Sequence, residues 1–119
     1  MKPKVIIIGS ADVIKLGFIR LVGQVGYPVI VIHIVKSYKS RTKPIDYYSK
    51  YVSSYYFSKS DDLVTVLLEK CTDENNPPFL FPLDDSSVCS IDYNFQFLKS
   101  HFRLSHINHE GGAINICCG

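Results

Sequence analysis

The chain lacks the features that mark membrane, secreted and nucleic-acid-binding proteins. Its 119 residues contain no apolar run near the roughly 20 residues that a bilayer-spanning helix needs. The apolar run after Met1–Lys4 is too short for a signal-peptide core, and no small-residue cleavage site follows it. A net charge of +2 is too small to indicate nucleic acid or an anionic membrane as a partner. We therefore expect a cytoplasmic protein, with one domain over residues 1–119.

Cysteine is sparse and poorly spaced for a metal or disulfide framework. The 4 cysteines form no CxxC pair. Cys71 and Cys89 fall within helical patterns and are typical of small buried hydrophobic residues. Four residues near the end have side chains of the kind that bind zinc, but their spacing fits no zinc finger or ribbon: His106, His109, Cys117 and Cys118. The sequence thus predicts no metal site.

Common nucleotide and nucleophile motifs are also missing. There is no GxxxxGK[ST] phosphate loop and no Gly-x-Ser-x-Gly elbow. Of the glycines in a dinucleotide-binding fingerprint, only the first is present, at Gly9. A basic cluster after the second predicted strand leaves two interpretations open, a contact for the 2′-phosphate of NADP or a solvated loop: Lys36, Lys39, Arg41 and Lys43.

What the chain does contain is an alternation of strand and helix patterns. Apolar runs predict strands over 4–8, 29–35, 54–57 and 79–81, with a short fifth strand over 103–107. Helical patterns cover 12–25, a segment capped by Ser60, and 86–101, while 36–50 is predicted as loop. Such alternation is typical of a mainly parallel α/β sheet. We predict a Rossmann-like half sheet of strand order 3-2-1-4, with helices on both faces.

Helical periodicity also predicts which faces are buried. Ile14, Phe18, Leu21 and Val25 share one face of the first helix, which we expect to pack on the sheet. The last helix carries the most regular apolar stripe of the chain: Val88, Ile91, Phe95, Leu98 and Phe102.

The polar turns after the first and fourth strands predict where a ligand would bind. In open α/β sheets the site lies outside the carboxyl ends of the strands, where the strand order reverses. Here that crevice lies between strands 1 and 4, so Gly9 and Ser10 should face Asp84 and Asp85 across it. Paired carboxylates at a strand end bind Mg²⁺, orient an amine, or cap the next helix. Asp12 has the same alternatives.

Several short segments carry a family resemblance through their order and spacing. They are Val5-Ile6-Ile7-Ile8-Gly9-Ser10, Gly26-Tyr27-Pro28-Val29-Ile30-Val31, Ser49-Lys50-Tyr51-Val52, Phe81-Pro82-Leu83-Asp84-Asp85 and Asn108-His109-Glu110-Gly111-Gly112-Ala113-Ile114-Asn115. Together they resemble the N-terminal, pre-ATP-grasp domain of ATP-grasp carboxylate–amine ligases, in particular the carbamoyl-phosphate-synthase-like branch.

The resemblance implies a fold and a role. In that family the domain is a Rossmann-like half sheet that packs against the ATP-grasp domain and contributes to the acceptor-substrate pocket. The family joins a carboxylate to an amine through an acyl phosphate, using ATP and Mg²⁺. The substrate-binding residues implied or predicted here are Gly9, Ser10, Asp12, Asp84 and Asp85.

The sequence departs from the family at two places. Leu83 stands where a small residue commonly precedes the aspartate, and Ile116-Cys117-Cys118-Gly119 replaces the expected helix. We expect residues 108–119 to begin a truncated linker to a missing ATP-grasp domain, so the chain by itself has no catalytic residues and no cofactor. Its partners would be a small acceptor substrate and either that domain or a second copy. The alternatives are a protein-interaction or dimerisation module and an NADP-binding protein.

Overall fold

A computed structural model describes residues 2–10, 13–40 and 44–104. Five parallel strands form one sheet in the order β3-β2-β1-β4-β5. The strands are β1 Val5–Gly9, β2 Val29–Ile34, β3 Val52–Ser58, β4 Phe79–Pro82 and β5 Arg103–Leu104, and the helices are α1 Val13–Val25, α2 Leu63–Lys70, α3 Asp85–Tyr93 and α4 Phe95–Leu98. The predicted α/β class and the 3-2-1-4 order are confirmed, with β5 added beside β4.

The centre of the sheet is β1, which is buried along its whole length. Side chains alternate across a strand, so its residues divide between two cores. Ile6 and Ile8 belong to the core under α2, α3 and α4, while Val5 and Ile7 belong to the core under α1. Burial on both faces explains why β1 is an unbroken β-branched run.

The helices cover both faces, as predicted. Leu63 and Leu67 of α2, Ile91 of α3 and Leu98 of α4 are buried in one core. On the opposite face, Ile19 of α1 is buried against the sheet. None of the helices in the described part of the chain has the length and hydrophobicity to span a bilayer.

The predicted buried face of α1 is wrong. Ile14, Leu21 and Val25 are 74%, 61% and 55% exposed, and only Phe18 of that stripe packs inward, with its ring 5.4 Å from that of Phe81. The helix instead turns Lys15 toward the sheet. Lys15 forms a buried ion pair there, on the same side of the helix as the buried Ile19.

The helix predicted over 86–101 is also interrupted, at Asn94, between α3 and α4. Its side-chain amide donates to the carbonyl of Ser90 at 2.8 Å, a local hydrogen bond that competes with helix continuation. The apolar stripe nevertheless stays on one side, since Ile91, Leu98 and Phe102 are all buried.

Ser60 does not cap α2, contrary to prediction. It lies in a 3₁₀ turn, Ser60–Asp62, and α2 begins after Asp62 without a side-chain cap. Asp62 is engaged elsewhere, because its Oδ2 accepts a hydrogen bond from the hydroxyl of Tyr38 at 2.6 Å. This bond ties the β2–β3 connection to the start of α2.

The segment predicted as loop between β2 and β3 contains two 3₁₀ turns, Tyr38–Ser40 and Ile45–Tyr48. The second, called here the 45–48 turn, packs on α1 and β3. Residues 105–107 of the predicted fifth strand, the predicted linker over 108–119 and the weak zinc set all lie outside the described residues.

Candidate functional site

The turns that follow β1 and β4 lie side by side at the carboxyl edge of the sheet, where the crevice is predicted. The two strands are parallel neighbours, with Ile8 opposite Pro82. The amide of Leu83 then donates to the carbonyl of Ile8 at 2.8 Å, which holds the two turns together. A Cβ placed on Gly9 would lie 3.7 Å from Oδ2 of Asp84. The structure therefore brings Gly9 and Asp84 into contact range, as the strand order predicts.

Asp84 also caps α3. Its Oδ1 accepts hydrogen bonds from the amide of Ser87 at 2.9 Å and from the hydroxyl of Ser86 at 3.3 Å. An N-cap carboxylate satisfies helix amides that would otherwise lack an acceptor. Capping uses Oδ1, whereas Oδ2 lies toward Gly9. One carboxylate can thus hold the helix with one oxygen and face the crevice with the other.

The other predicted binding residues are less well placed. Ser10 is exposed beside Gly9, and Asp85 is an exposed residue in the first turn of α3. Asp12 lies outside the described residues. The role of all five residues in binding stays a prediction.

A second polar cluster, absent from the sequence predictions, lies between α1, the sheet and the 45–48 turn. The ammonium of Lys15 lies 2.9 Å from Oδ2 of Asp46, 3.2 Å from the carbonyl of Gly9 and 3.2 Å from Nδ1 of His33. The hydroxyl of Tyr55 donates to Oδ2 of Asp46 at 3.1 Å. We call these four side chains the Lys15–Asp46 cluster: Lys15, His33, Asp46 and Tyr55.

The charged side chains of the cluster are shielded from water. Both Lys15 and Asp46 have 0% side-chain exposure. Oδ1 of Asp46 has no hydrogen-bond partner among the described residues, so one buried acceptor is left unsatisfied. Charges removed from water in this way are tolerated only when they are paired.

The cluster also determines the state of its neutral members. A lysine ammonium has only donors, so Nδ1 of His33 accepts and the ring proton is on Nε2. Burial, and then the charge of Lys15, lower the pKa of His33 below its ordinary value of 6.5, against the opposing effect of Asp46. Burial, and then the charge and hydrogen bond of Asp46, raise the pKa of Tyr55 well above its ordinary value of 10.0. His33 and Tyr55 are therefore neutral near pH 7.

The cluster is connected to the crevice through Gly9. Gly9 and His33 are register partners at the ends of β1 and β2, and Lys15 binds the Gly9 carbonyl. Lys15 therefore positions the end of the strand from which the crevice begins. Sequence reasoning missed it because one lysine within an apolar helix has the pattern of a solvated residue.

The structure describes only part of the other residues that the sequence singles out as possible ligand sites. Lys36 and Lys39 are exposed after β2, while Arg41 and Lys43 lie outside the described residues. Within residues 2–10, 13–40 and 44–104, no group of three or more histidine, cysteine, aspartate or glutamate side chains is arranged to hold a metal ion.

Comparison of the chain with models of protein families, with curated proteins and with solved structures finds no match.

Proposed function

We propose that the chain is the N-terminal, substrate-side domain of an ATP-grasp carboxylate–amine ligase of the carbamoyl-phosphate-synthase-like branch, and that it does not catalyse ligation by itself. The main support is the proximity of Gly9 to Asp84 across the β1/β4 crevice. An acceptor amine would be held there by the Asp84 carboxylate and by backbone groups of the Gly9 turn.

ATP and Mg²⁺ are assigned to the partner domain. A Mg²⁺ site requires oxygen ligands in octahedral geometry. The crevice offers the adjacent carboxylates of Asp84 and Asp85, but one oxygen of Asp84 already accepts helix hydrogen bonds. This chain's contribution is to bind and orient the acceptor amine, while the carboxylate that the amine attacks is activated as an acyl phosphate in the partner domain.

Binding can be tested without catalysis. A panel of small amines, amino acids and carboxylates is titrated into the ¹⁵N-labelled chain, and amide shifts of Ser10, Asp84 and Asp85 are followed. We expect at least one amine-bearing compound to bind saturably, and Asp84→Asn to weaken it by about tenfold, since the substitution removes one charge-assisted contact. Asparagine is also a good N-cap, so α3 is retained. Glu69→Gln, an exposed change on α2, is the control.

Two results would contradict the proposal. One is ADP formation by the purified chain that depends on both a carboxylate and an amine. The other is the absence of any saturable shift at the crevice across the panel.

A second candidate function, an interaction module, is favoured by the exposed side of α1. Ile14, Leu21 and Val25 are exposed, and Leu21 and Val25 line an apolar groove of about 300 Å³ together with Phe79 and Phe81. Exposed apolar patches of this kind are typical of protein–protein contacts. If α1 mediates dimerisation, sedimentation over a range of concentrations should show a dimer that Leu21→Glu abolishes. A monomer at every concentration would rule this candidate out.

A further inference from the structure

A cleft separate from the crevice lies between α1 and the chain that leads from the 45–48 turn into β3. Its volume is about 430 Å³. Leu16 and Arg20, one helical turn apart, line the α1 side. The opposite side is formed by consecutive residues: Tyr48, Ser49, Lys50 and Tyr51.

Two contacts between α1 and the facing chain segment hold the walls of this cleft in place. At one end, the buried ion pair between Lys15 and Asp46 joins α1 to the 45–48 turn. At the other end, α1 approaches Tyr51 so closely at Gly23 that an added Cβ would lie 2.5 Å from the Tyr51 side chain. Residues between these contacts therefore have a defined spacing, which a binding site requires and a loop surface ordinarily lacks.

The cleft is positively charged. Arg20 and Lys50 both line it, and none of the described residues on its walls is acidic. Neither cation makes a salt bridge within the described part of the chain, where the ion pairs are Lys4–Asp73 and Lys15–Asp46. The nearby carboxylate of Asp46 is already paired with Lys15 and buried. Two uncompensated cations on facing walls favour a doubly charged anion between them.

The cleft also has aromatic walls. Tyr48 is 71% exposed, so a large part of its ring is accessible. The ammonium of Lys50 lies over the ring of Tyr51, 5.3 Å from its centroid. Leu16 adds an apolar contact. An aromatic body can pack on the ring of Tyr48 while its charged group meets the cations.

We propose that this cleft binds a small organic phosphate with an aromatic body. Arg20 donates to the phosphate oxygens as a planar fork, and Lys50 supplies a second charge from the opposite wall. The exposed ring of Tyr48 holds the aromatic part. The site is independent of the proposed ligase role, because it shares no residue with the β1/β4 crevice.

Phenyl phosphate is the probe, with phenol and inorganic phosphate as its two halves. Each is titrated into the ¹⁵N-labelled chain, and amide shifts of Leu16, Arg20 and Ser49–Tyr51 are measured. We expect phenyl phosphate to give saturable shifts and its affinity to decrease as the salt concentration is raised. The affinity for phenol alone or for inorganic phosphate alone should be at least about tenfold lower than that for phenyl phosphate. Arg20→Gln and Lys50→Gln should each weaken phenyl phosphate about threefold to tenfold.

Arg20 and Lys50 are exposed, so both variants should retain the fold. The midpoint of urea unfolding of each variant tests this. Lys99→Gln removes an exposed cation after α4 and should leave the affinity unchanged. The proposal is overturned if these amides show no saturable shift, if phenol binds as tightly as phenyl phosphate, or if Arg20→Gln and Lys50→Gln have no greater effect than Lys99→Gln. Shifts at Ser10 and Asp84 in place of these amides would assign the phosphate to the crevice and likewise overturn it.

Discussion

The ammonium nitrogen of Lys15 lies 2.9 Å from Oδ2 of Asp46, and both side chains are wholly buried. Lys15 belongs to α1 and Asp46 to the 45–48 turn, so the pair joins two elements that are 31 residues apart in the chain. Removing charges from water is costly, and the loss of one partner leaves the other uncompensated.

Asp46→Ala should therefore destabilise the chain strongly. We expect the free energy of unfolding in urea to fall by about 3–5 kcal/mol, since Lys15 would remain buried without its counter-charge. The double variant Lys15→Met/Asp46→Leu removes both charges. Its free energy of unfolding should fall by less than the sum of the decreases in the single variants Lys15→Met and Asp46→Leu. An Asp46→Ala variant within about 0.5 kcal/mol of the parent, the range typical of surface changes, would show that the pair is not buried in solution.

Stability should also depend on His33 in mildly acidic solution. The pKa of His33 is lowered from 6.5 by burial and by Lys15, so the unfolded chain binds a proton more readily than the folded one. The contribution of neutral His33 to the free energy of unfolding is therefore fully present above pH 6.5. It is lost as the pH decreases through that value toward the lowered pKa of the folded state.

Urea unfolding between about pH 5 and 8 measures this effect, and a side-chain NMR titration of His33 gives the pKa directly. His33→Gln should reduce the slope of stability against pH. A His33 that titrates above 6.5 would contradict the geometry of the cluster.

Tyr55→Phe isolates one hydrogen bond to the buried carboxylate. The Tyr55 hydroxyl donates to Oδ2 of Asp46 at 3.1 Å, and Oδ1 of that carboxylate already has no partner among the described residues. The substitution should cost about 1–3 kcal/mol in urea unfolding. Tyr56→Phe is the matched control, since Tyr56 packs in the core on the other side of the sheet. Equal effects of the two changes would contradict the assigned hydrogen bond.

Two glycines of α1 provide a matched pair for the packing of that helix. A Cβ at Gly23 would lie 2.5 Å from Tyr51, whereas a Cβ at Gly17 would meet nothing within 4 Å. Gly23→Ala should cost about 1–3 kcal/mol through overpacking, despite the higher helix propensity of alanine. Gly17→Ala should stabilise the chain by about 0.5–1 kcal/mol. Thermal unfolding of both variants tests this, and stabilisation by Gly23→Ala would contradict the close approach.

The sheet was predictable because each of its strands has a local signal. The apolar runs of β1, β2 and β4, with their following turns, determine the alternation. Right-handed crossovers then leave few strand orders, among them the observed 3-2-1-4. That order brings Gly9 beside Asp84, so this part of the candidate site follows from the strand pattern.

The polar cluster was not predictable because its partners have no common local signal. Asp46 lies in a segment that has the composition of a loop, and Lys15 interrupts no apolar stripe in α1. Only tertiary contacts reveal that Lys15 faces inward while Ile14 and Leu21 face solvent. The break at Asn94 has a similar cause, since a side-chain hydrogen bond to Ser90 overrides a regular apolar period.

The unequal lengths of the strands have a consequence for the motions of the sheet. β1 is hydrogen-bonded on both sides along most of its length, whereas β5 pairs with β4 at Arg103 and Leu104. Local opening starts where few bonds must break. Amide protons of β5 should therefore exchange with deuterated water long before those of Ile6 and Ile7, and partial unfolding should proceed inward from that margin.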